Sequence, residues 1–280
     1  MLALPKIFFT DFDGTIKPPL GPVAETDLAA LKELGRLKVL RVVATGRSLF
    51  AFQRDWDRQM EIDYLIFSSG LGVCPWGPQG PGKLLFSRSF TDSQTQAALK
   101  ASLLLGRGFF AFQPPPECHR YIYLDPDRFA PTEGYLKRME IYREVAEPYK
   151  GQDLGRRGQF LITAPASEMP EVRAQFEKLA PGLSLMYSSS PFGDRALWLE
   201  IFPPDVSKGA TAQWLAKLLN IDRKDCLAMG NDYNDLDLLA WAGKAFLTAD
   251  ASKALRHLYP LAPASTAAPV AWLADRLQRS

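Results

Sequence analysis

"IFFTDFDGTIKPP", residues 7–19, decides how the rest of the chain is read. Ile7, Phe8 and Phe9 have the continuous apolar character of a strand buried on both faces, and Asp11 and Asp13 follow it directly. Residues two apart on extended backbone project to the same side, so two carboxylates would face one small volume. Unpaired, they repel, and one tends to keep its proton. A lone Asp-x-Asp is also an ordinary turn or cap. What lies at comparable positions elsewhere in the chain therefore carries the decision.

Working outward, the spacing of Leu28, Leu31 and Leu34 predicts a helix near 25–36. "VLRVVATG" (39–46) reads as a second strand, followed by a helix near 48–58 and a third strand, "YLIFSSG" (64–70). This βαβαβ order implies parallel strands with right-handed crossovers. The rhythm breaks at "PWGPQGPG" (75–82), which reads as a hinge or hairpin loop. From about 83 to 190, closely spaced strand candidates alternate with helical stretches at 92–105, 131–146 and 167–179, predicting an α+β insert with a largely antiparallel sheet. After "ALWLEIFPP" (196–204) the first rhythm returns, with a helix at 208–219, the strand "CLAMG" (226–230), a helix at 234–241 and the strand "KAFLTA" (244–249). The expectation is a doubly wound α/β core in two parts, 1–80 and 194–280, interrupted by an inserted α+β domain, 81–193.

Ligands of open α/β sheets sit beyond the carboxyl ends of the parallel strands. Past the first strand come Asp11, Asp13, Gly14 and Thr15; past the second, Thr45, Gly46, Arg47 and Ser48; past the third, Ser68, Ser69 and Gly70; past the fourth, Gly230, Asn231, Asp232, Asn234 and Asp235. Lys208 opens a helix, where a cation opposes the macrodipole unless an anion lies beside it. Taken singly, each piece is a common cap, turn or surface lysine. Together they place a carboxylate pair, further oxygen ligands, a hydroxyl, amides and a lysine on one rim. Mg²⁺ prefers such oxygens, and the donors suit an anion, so the set describes a site for phosphoryl transfer.

The whole-chain properties agree with a small-molecule enzyme. Of 280 residues, 47% are hydrophobic and 23% charged, the balance of an ordinary globular protein, and the net charge of +2 leaves no footprint for nucleic acid. Cys74, Cys118 and Cys226 are too far apart for a CxxC zinc site or a disulfide framework. No apolar stretch is long enough to span a bilayer, and "MLALPKIFF" does not read as a signal peptide, so a cytoplasmic location is expected. "KRMEIYRE" (137–144) mixes charges at helical spacing and reads as a solvated face. His119 and His257 are isolated and are expected to be structural or surface residues.

"DFDGT", "ATGRS", "SKG" and "GNDYND" resemble the four signature motifs of the haloacid dehalogenase superfamily. The insert between the third strand and the lysine is similar to the C2-type cap of subclass IIB, which includes Cof-type sugar phosphatases. The resemblance implies that Asp11 attacks phosphorus and becomes an aspartyl phosphate, and that Asp13 acts as acid and then base. It implies phosphate binding by Phe12, Thr45, Gly46, Arg47, Lys208 and Asn234, with Lys208 also neutralising charge on Asp11. It implies Mg²⁺ held by Asp11, the Asp13 carbonyl and the fourth motif, with Asn231, Asp232 and Asp235 as candidates. The family usually has aspartate where Asn231 stands, which leaves the ligand from this turn open between Asn231 and Asp232. The expected substrate is a small phosphorylated metabolite, with a sugar phosphate first. A phosphomutase and a non-catalytic phosphosugar-binding regulator are the competing readings. Arg120, Tyr121 and Arg195 are cap residues that could meet substrate, though no motif selects them.

Overall fold

Ile7, Phe8 and Phe9 are fully buried, the condition of a central strand covered on both faces. The structure, a computed structural model, describes residues 3–190, 192 and 196–278. Its first segment runs through β1 (Ile7–Thr10), α1 (Glu25–Arg36), β2 (Leu40–Ala44), α2 (Leu49–Asp55) and β3 (Tyr64–Phe67). Three short strands follow, β4 (Gly72–Gly77), β5 (Gly80–Pro81) and β6 (Phe86–Ser87). The inserted segment contains α3 (Asp92–Leu104), β7 (Phe109–Phe112), β8 (Tyr121–Tyr123), α4 (Glu133–Ile141), β9 (Ala146–Pro148), β10 (Gln159–Pro165), α5 (Met169–Leu179), β11 (Ser184–Ser189) and β12 (Ala196–Phe202). The chain then returns through α6 (Lys208–Leu218), β13 (Cys226–Gly230), α7 (Leu236–Trp241), β14 (Lys244–Thr248), β15 (Leu261–Ala262) and α8 (Pro269–Gln278). Two compact units result, one of Met1–Arg47, Ala51–Phe86 and Ser207–Ser280, the other of Ser48–Phe50 and Ser87–Val206.

In the first unit, six strands run parallel in the order β15-β14-β13-β1-β2-β3, and β4 and β5 extend the β3 edge antiparallel. Ile7 pairs with Leu40 on one side and Cys226 on the other. The sheet therefore grows in one direction through β2 and β3 and in the other through β13 to β15. The point of reversal, between β1 and β13, is where such a fold opens a crevice at its carboxyl edge. α6 and α7 bury Ala212, Leu215, Leu238 and Leu239 against Ile7, Phe9, Val42 and Ala44. α1, packed on β2 and α8, buries the predicted Leu28, Leu31 and Leu34.

The second unit is a six-stranded sheet in the order β11-β12-β10-β7-β8-β9, antiparallel except for β8 with β9. α3 and α5 close one face over Phe109, Phe160, Leu199 and Ile201. Tyr135 of α4 packs on Phe110 in a second cluster with Phe112, Tyr121, Leu161 and Trp198. No helix among the described residues is long and apolar enough to cross a membrane.

Three expectations are corrected. Of the two readings of residues 75–82 the hairpin is the one formed: β4 and β5 pair antiparallel, Trp76 with Pro81 and Gly77 with Gly80, while β4 also pairs along β3 and buries Val73, Cys74 and Trp76. The prolines and glycines masked this strand. The boundaries also move, from 80/81 to 86/87 and from 193/194 to 206/207. β12, expected to open the returning core, is instead a central strand of the inserted sheet, since Leu199 and Ile201 complete that unit's apolar face. Finally, "KRMEIYRE" is not uniformly solvated. The Arg138 guanidinium lies 5.0–5.6 Å from the ring centres of Phe110, Phe112, Tyr121, Tyr142 and Trp198, so cation–π attraction and stem packing draw it inward.

α1 also carries a fully buried carboxylate, Asp27, whose Oδ1 accepts the Ala271 backbone N–H at 2.8 Å in the first turn of α8. Burial raises its pKa from 3.8 to about 6, with the helix N–H groups opposing the rise only partly. The folded state thus binds this proton more tightly than the unfolded chain. Asp27's contribution to stability is complete below pH 3.8 and declines as pH rises toward 6. In Asp27→Asn, the loss of stability between pH 4 and pH 6 is expected to be smaller than in the unaltered chain by about 1–3 kcal/mol. Urea unfolding across that range measures it, and identical slopes for the two proteins would refute it.

Candidate active site

Asp11 stands on the last rung of the central pair, its backbone N–H donating to the Met229 carbonyl of β13 at 2.9 Å. The chain then folds back, with Lys17 N–H on the Phe12 carbonyl (2.8 Å) and Gly14 N–H on the Lys17 carbonyl (2.7 Å). Gly14 has φ +74°, and a Cβ there would lie 2.2 Å from Asn231 Nδ2, so only glycine lets this turn meet the turn after β13. At that meeting Thr15 Oγ1 lies 3.3 Å from both Asp11 Oδ2 and Asn231 Oδ1. Thr15, noted in the sequence without a role, is the hydroxyl that links the two turns.

Lys208 is the first residue of α6, which Ser207 caps by accepting the Ala210 N–H at 3.0 Å. Its side chain is almost fully buried, and Nζ bonds Asp11 Oδ1 at 2.7 Å and Asp235 Oδ1 at 2.6 Å. Asn234 Oδ1 lies 3.4 Å away. The anions that reconcile this lysine with its helix dipole are the protein's own carboxylates. Asp235 Oδ2 in turn accepts the backbone N–H groups of Asn231 (2.9 Å) and Asp232 (3.1 Å), while the Asp232 side chain caps the same turn. One Asp235 oxygen thus meets Lys208 and the other shapes the turn. Asn231 meets Thr15, which also bonds Asp11.

The loop after β2 is held by the loop after β3: Ser68 N–H donates to the Arg47 carbonyl (2.8 Å) and Ser69 N–H to the Thr45 carbonyl (3.0 Å). Ser68 and Ser69 both adopt left-handed φ, 48° and 52°, which costs backbone strain of the kind concentrated at functional sites. Gly70, φ +108°, lies so close to the Ser207 carbonyl that a Cβ would be 2.4 Å from it, and Thr211 Oγ1 donates to the Gly70 carbonyl at 2.8 Å. These contacts lock the start of α6 onto the same rim. A Cβ on Gly46 would meet Ser69 Oγ at 3.5 Å and Asn234 Nδ2 at 3.6 Å, so three loops bring small polar groups around the Gly46 backbone. Arg47, expected among the phosphate donors, directs its guanidinium to Asp13 and Asp55.

The electrostatics follow from these positions. Burial, then the charge of Asp235, pushes Asp11 up to about 7, against the opposing effect of Lys208; Asp13 adds a smaller rise. Burial alone would lower the Lys208 ammonium, but Asp11 and Asp235 hold it well above the usual lysine range. One buried cation between two buried carboxylates leaves negative charge uncompensated. Among the described residues no cluster of three His, Cys, Asp or Glu side chains is arranged to hold a metal. A divalent ion would need a mixed oxygen set drawn from Asp11, a backbone carbonyl and the turn after β13, and the unbalanced charge at Asp11 is the feature it would answer.

Of the cap candidates, Arg120 bonds Glu117 at 3.1 Å and Tyr121 is buried against Phe110 and Phe112. Arg195 lies outside the described residues.

Residues 8–261 match the haloacid dehalogenase-like hydrolases, and the chain belongs to that family. It is 25% identical over 259 residues, 89% of this chain and 86% of the relative, to the HMP-PP phosphatase of Yersinia pseudotuberculosis. Its fold is similar to that of a haloalkanoate-superfamily phosphatase from Bacteroides thetaiotaomicron (TM-score 0.77, 15% identity, 98% and 96% of the two chains covered). A subclass IIB sugar phosphatase is similar in the same way (TM-score 0.73, 13% identity, 97% and 98% covered).

Lys208→Met leaves Asp11 and Asp235 facing each other without their cation. Stability is expected to fall by about 3–5 kcal/mol in urea unfolding at neutral pH, the usual cost of removing one partner from a buried pair. A loss below about 1 kcal/mol, within the range of exposed pairs, would show that this bridge does not organise the rim.

Proposed function

We propose that the chain is a phosphatase for small phosphorylated metabolites, working through an aspartyl phosphate on Asp11. The family and its phosphatase relatives support the enzyme class, a phosphoric monoester hydrolase. The observation that carries the mechanism is the division of labour between the two aspartates. Asp11 is buried and fixed at the sheet's switch point by Lys208, while Asp13, two residues on, is half-exposed and free of that bridge. A nucleophile needs one fixed direction of attack; a group that takes and gives protons needs access to the leaving group and to water.

In the first step Asp11 displaces the leaving group from phosphorus, and Asp13 gives its proton to the departing alkoxide. In the second step Asp13 takes a proton from water, which attacks the aspartyl phosphate and frees Asp11. The Phe12 and Gly46 amides, the Thr45 hydroxyl, Asn234 and Lys208 would hold the phosphoryl oxygens, as oxyanion donors do in other transfers. Asp11, the Asp13 carbonyl and Asn231 would hold Mg²⁺, which when bound supplies positive charge to the transferring group. A sugar phosphate is the preferred substrate class, supported by the sugar phosphatase of similar fold.

The test is phosphate release over a panel of phosphorylated metabolites in Mg²⁺ buffer, with Asp11→Asn as the blank. Release is expected for at least one phosphosugar and is expected to vanish in the blank. Isomerisation without net release would replace this reading with the mutase one. In Asn231→Asp the Mg²⁺ concentration for half-maximal activity is expected to drop several-fold, because a formal charge replaces an amide dipole at the ligand. An unchanged requirement would move the ligand elsewhere in the turn.

A further inference from the structure

Arg47 binds both oxygens of Asp13, Nε to Oδ2 at 2.7 Å and Nη2 to Oδ1 at 2.6 Å, in a two-pronged contact. Its remaining prong, Nη1, is bonded to Asp55 Oδ2, and Asp55 is also reached by Arg54 Nε at 3.1 Å. The guanidinium lies over the Phe12 ring, 5.1 Å from its centre, and Phe12 packs edge-on against Phe52, which packs the same way against Trp76. Asp13 is half-exposed, and a carboxylate on such a surface ordinarily samples several rotamers. Here a planar fork grips it from one side, and the fork is itself held by a second carboxylate and an aromatic ring.

We propose that Arg47 is a positioning residue that aims the Asp13 carboxylate, with Asp55 as the anchor that holds the guanidinium's remaining prong. The inference rests on the acid/base role given to Asp13 above. The bond to Asp55 and the Phe12 ring hold the guanidinium's plane, so the fork presents both its prongs to Asp13 in one orientation. Lysine offers a point charge with no fixed plane, so it cannot grip two oxygens and Asp55 in this geometry.

The experiment compares the unaltered chain with Arg47→Ala, Arg47→Lys and Asp55→Asn, after circular dichroism has verified folding. The substrates are the best alkyl phosphate from the panel and 4-nitrophenyl phosphate, whose leaving group needs no proton. For Arg47→Ala, kcat on the alkyl phosphate is expected to fall about 100-fold, the scale of a misplaced general acid, with KM and inhibition by inorganic phosphate unchanged. On 4-nitrophenyl phosphate the first turnover should stay fast and later turnovers slow, because only the second step still needs Asp13. Arg47→Lys should be nearly as slow, Asp55→Asn intermediate, and added guanidinium ion should restore part of the turnover of Arg47→Ala.

A raised KM and weakened phosphate inhibition with kcat retained would overturn the proposal and return Arg47 to phosphate binding. Full activity in Arg47→Lys would overturn it as well. If Arg47→Ala does not fold, the lysine variant and the guanidine-free comparison with Asp55→Asn decide the matter by the same criteria. Absence of Asp11-dependent phosphate release in the unaltered chain would instead overturn the phosphatase reading, and this inference with it.

Discussion

One ammonium between two buried carboxylates holds the rim together. Lys208 reaches from the first turn of α6 to Asp11 at the end of β1 and to Asp235 in the turn after β13, joining positions 197 and 27 residues away in sequence. Burying charge without compensation is costly, so each member of this trio depends on the others being in place. The consequences spread outward. Asp235 uses its second oxygen to set the Asn231 turn, and Ser207, next to the lysine, is pressed against Gly70, which in turn positions Ser69 beneath Gly46. The crevice at the β1–β13 reversal is thereby fixed in shape by electrostatics as much as by apolar packing.

The two aspartates of the opening motif, two residues apart, sit in opposite environments. They share a residue type and a short stretch of backbone. Asp11 has lost its contact with solvent and answers to Lys208; Asp13 keeps contact with solvent and answers to Arg47. Both are held by cations, but a compact ammonium and a planar fork constrain a carboxylate differently. The ammonium neutralises, whereas the fork also fixes a plane.

Much of this was legible in the sequence because it depends on position along strands. Ile7–Phe9, "VLRVVATG" and "CLAMG" announced parallel strands by their unbroken apolar runs, and the chemistry followed each of them within a few residues. What was not legible depended on choice of partner. Nothing in the spacing of Arg47 distinguishes a phosphate from Asp13 and Asp55 as its target, since both are anions near the same loop. The contacts of Asp235 with Lys208 and with the Asn231 and Asp232 amides depend on how its two oxygens are turned, which spacing does not show. β12 was misassigned because "ALWLEIF" is apolar enough for either sheet, and the pairing with β10 and β11 is long-range information. Arg138 escaped for the opposite reason: its five aromatic neighbours come from four separate stretches of chain.

The pairing of Ile7 with Cys226 carries a consequence for how the molecule is made. During synthesis β1 emerges early and gains β2 on one side, but its other edge stays open until the chain has passed through the entire insert and come round to β13. An unpaired apolar edge is a template for wrong partners. The inserted sheet, nearly continuous in sequence, has no such wait and can consolidate as the ribosome proceeds. Non-local closure of this kind is slow, and the docking of β13 beside β1 is what brings Asp235 to Asp11. The nascent chain therefore gives Asp11 its buried surroundings only when the open edge of β1 is sealed.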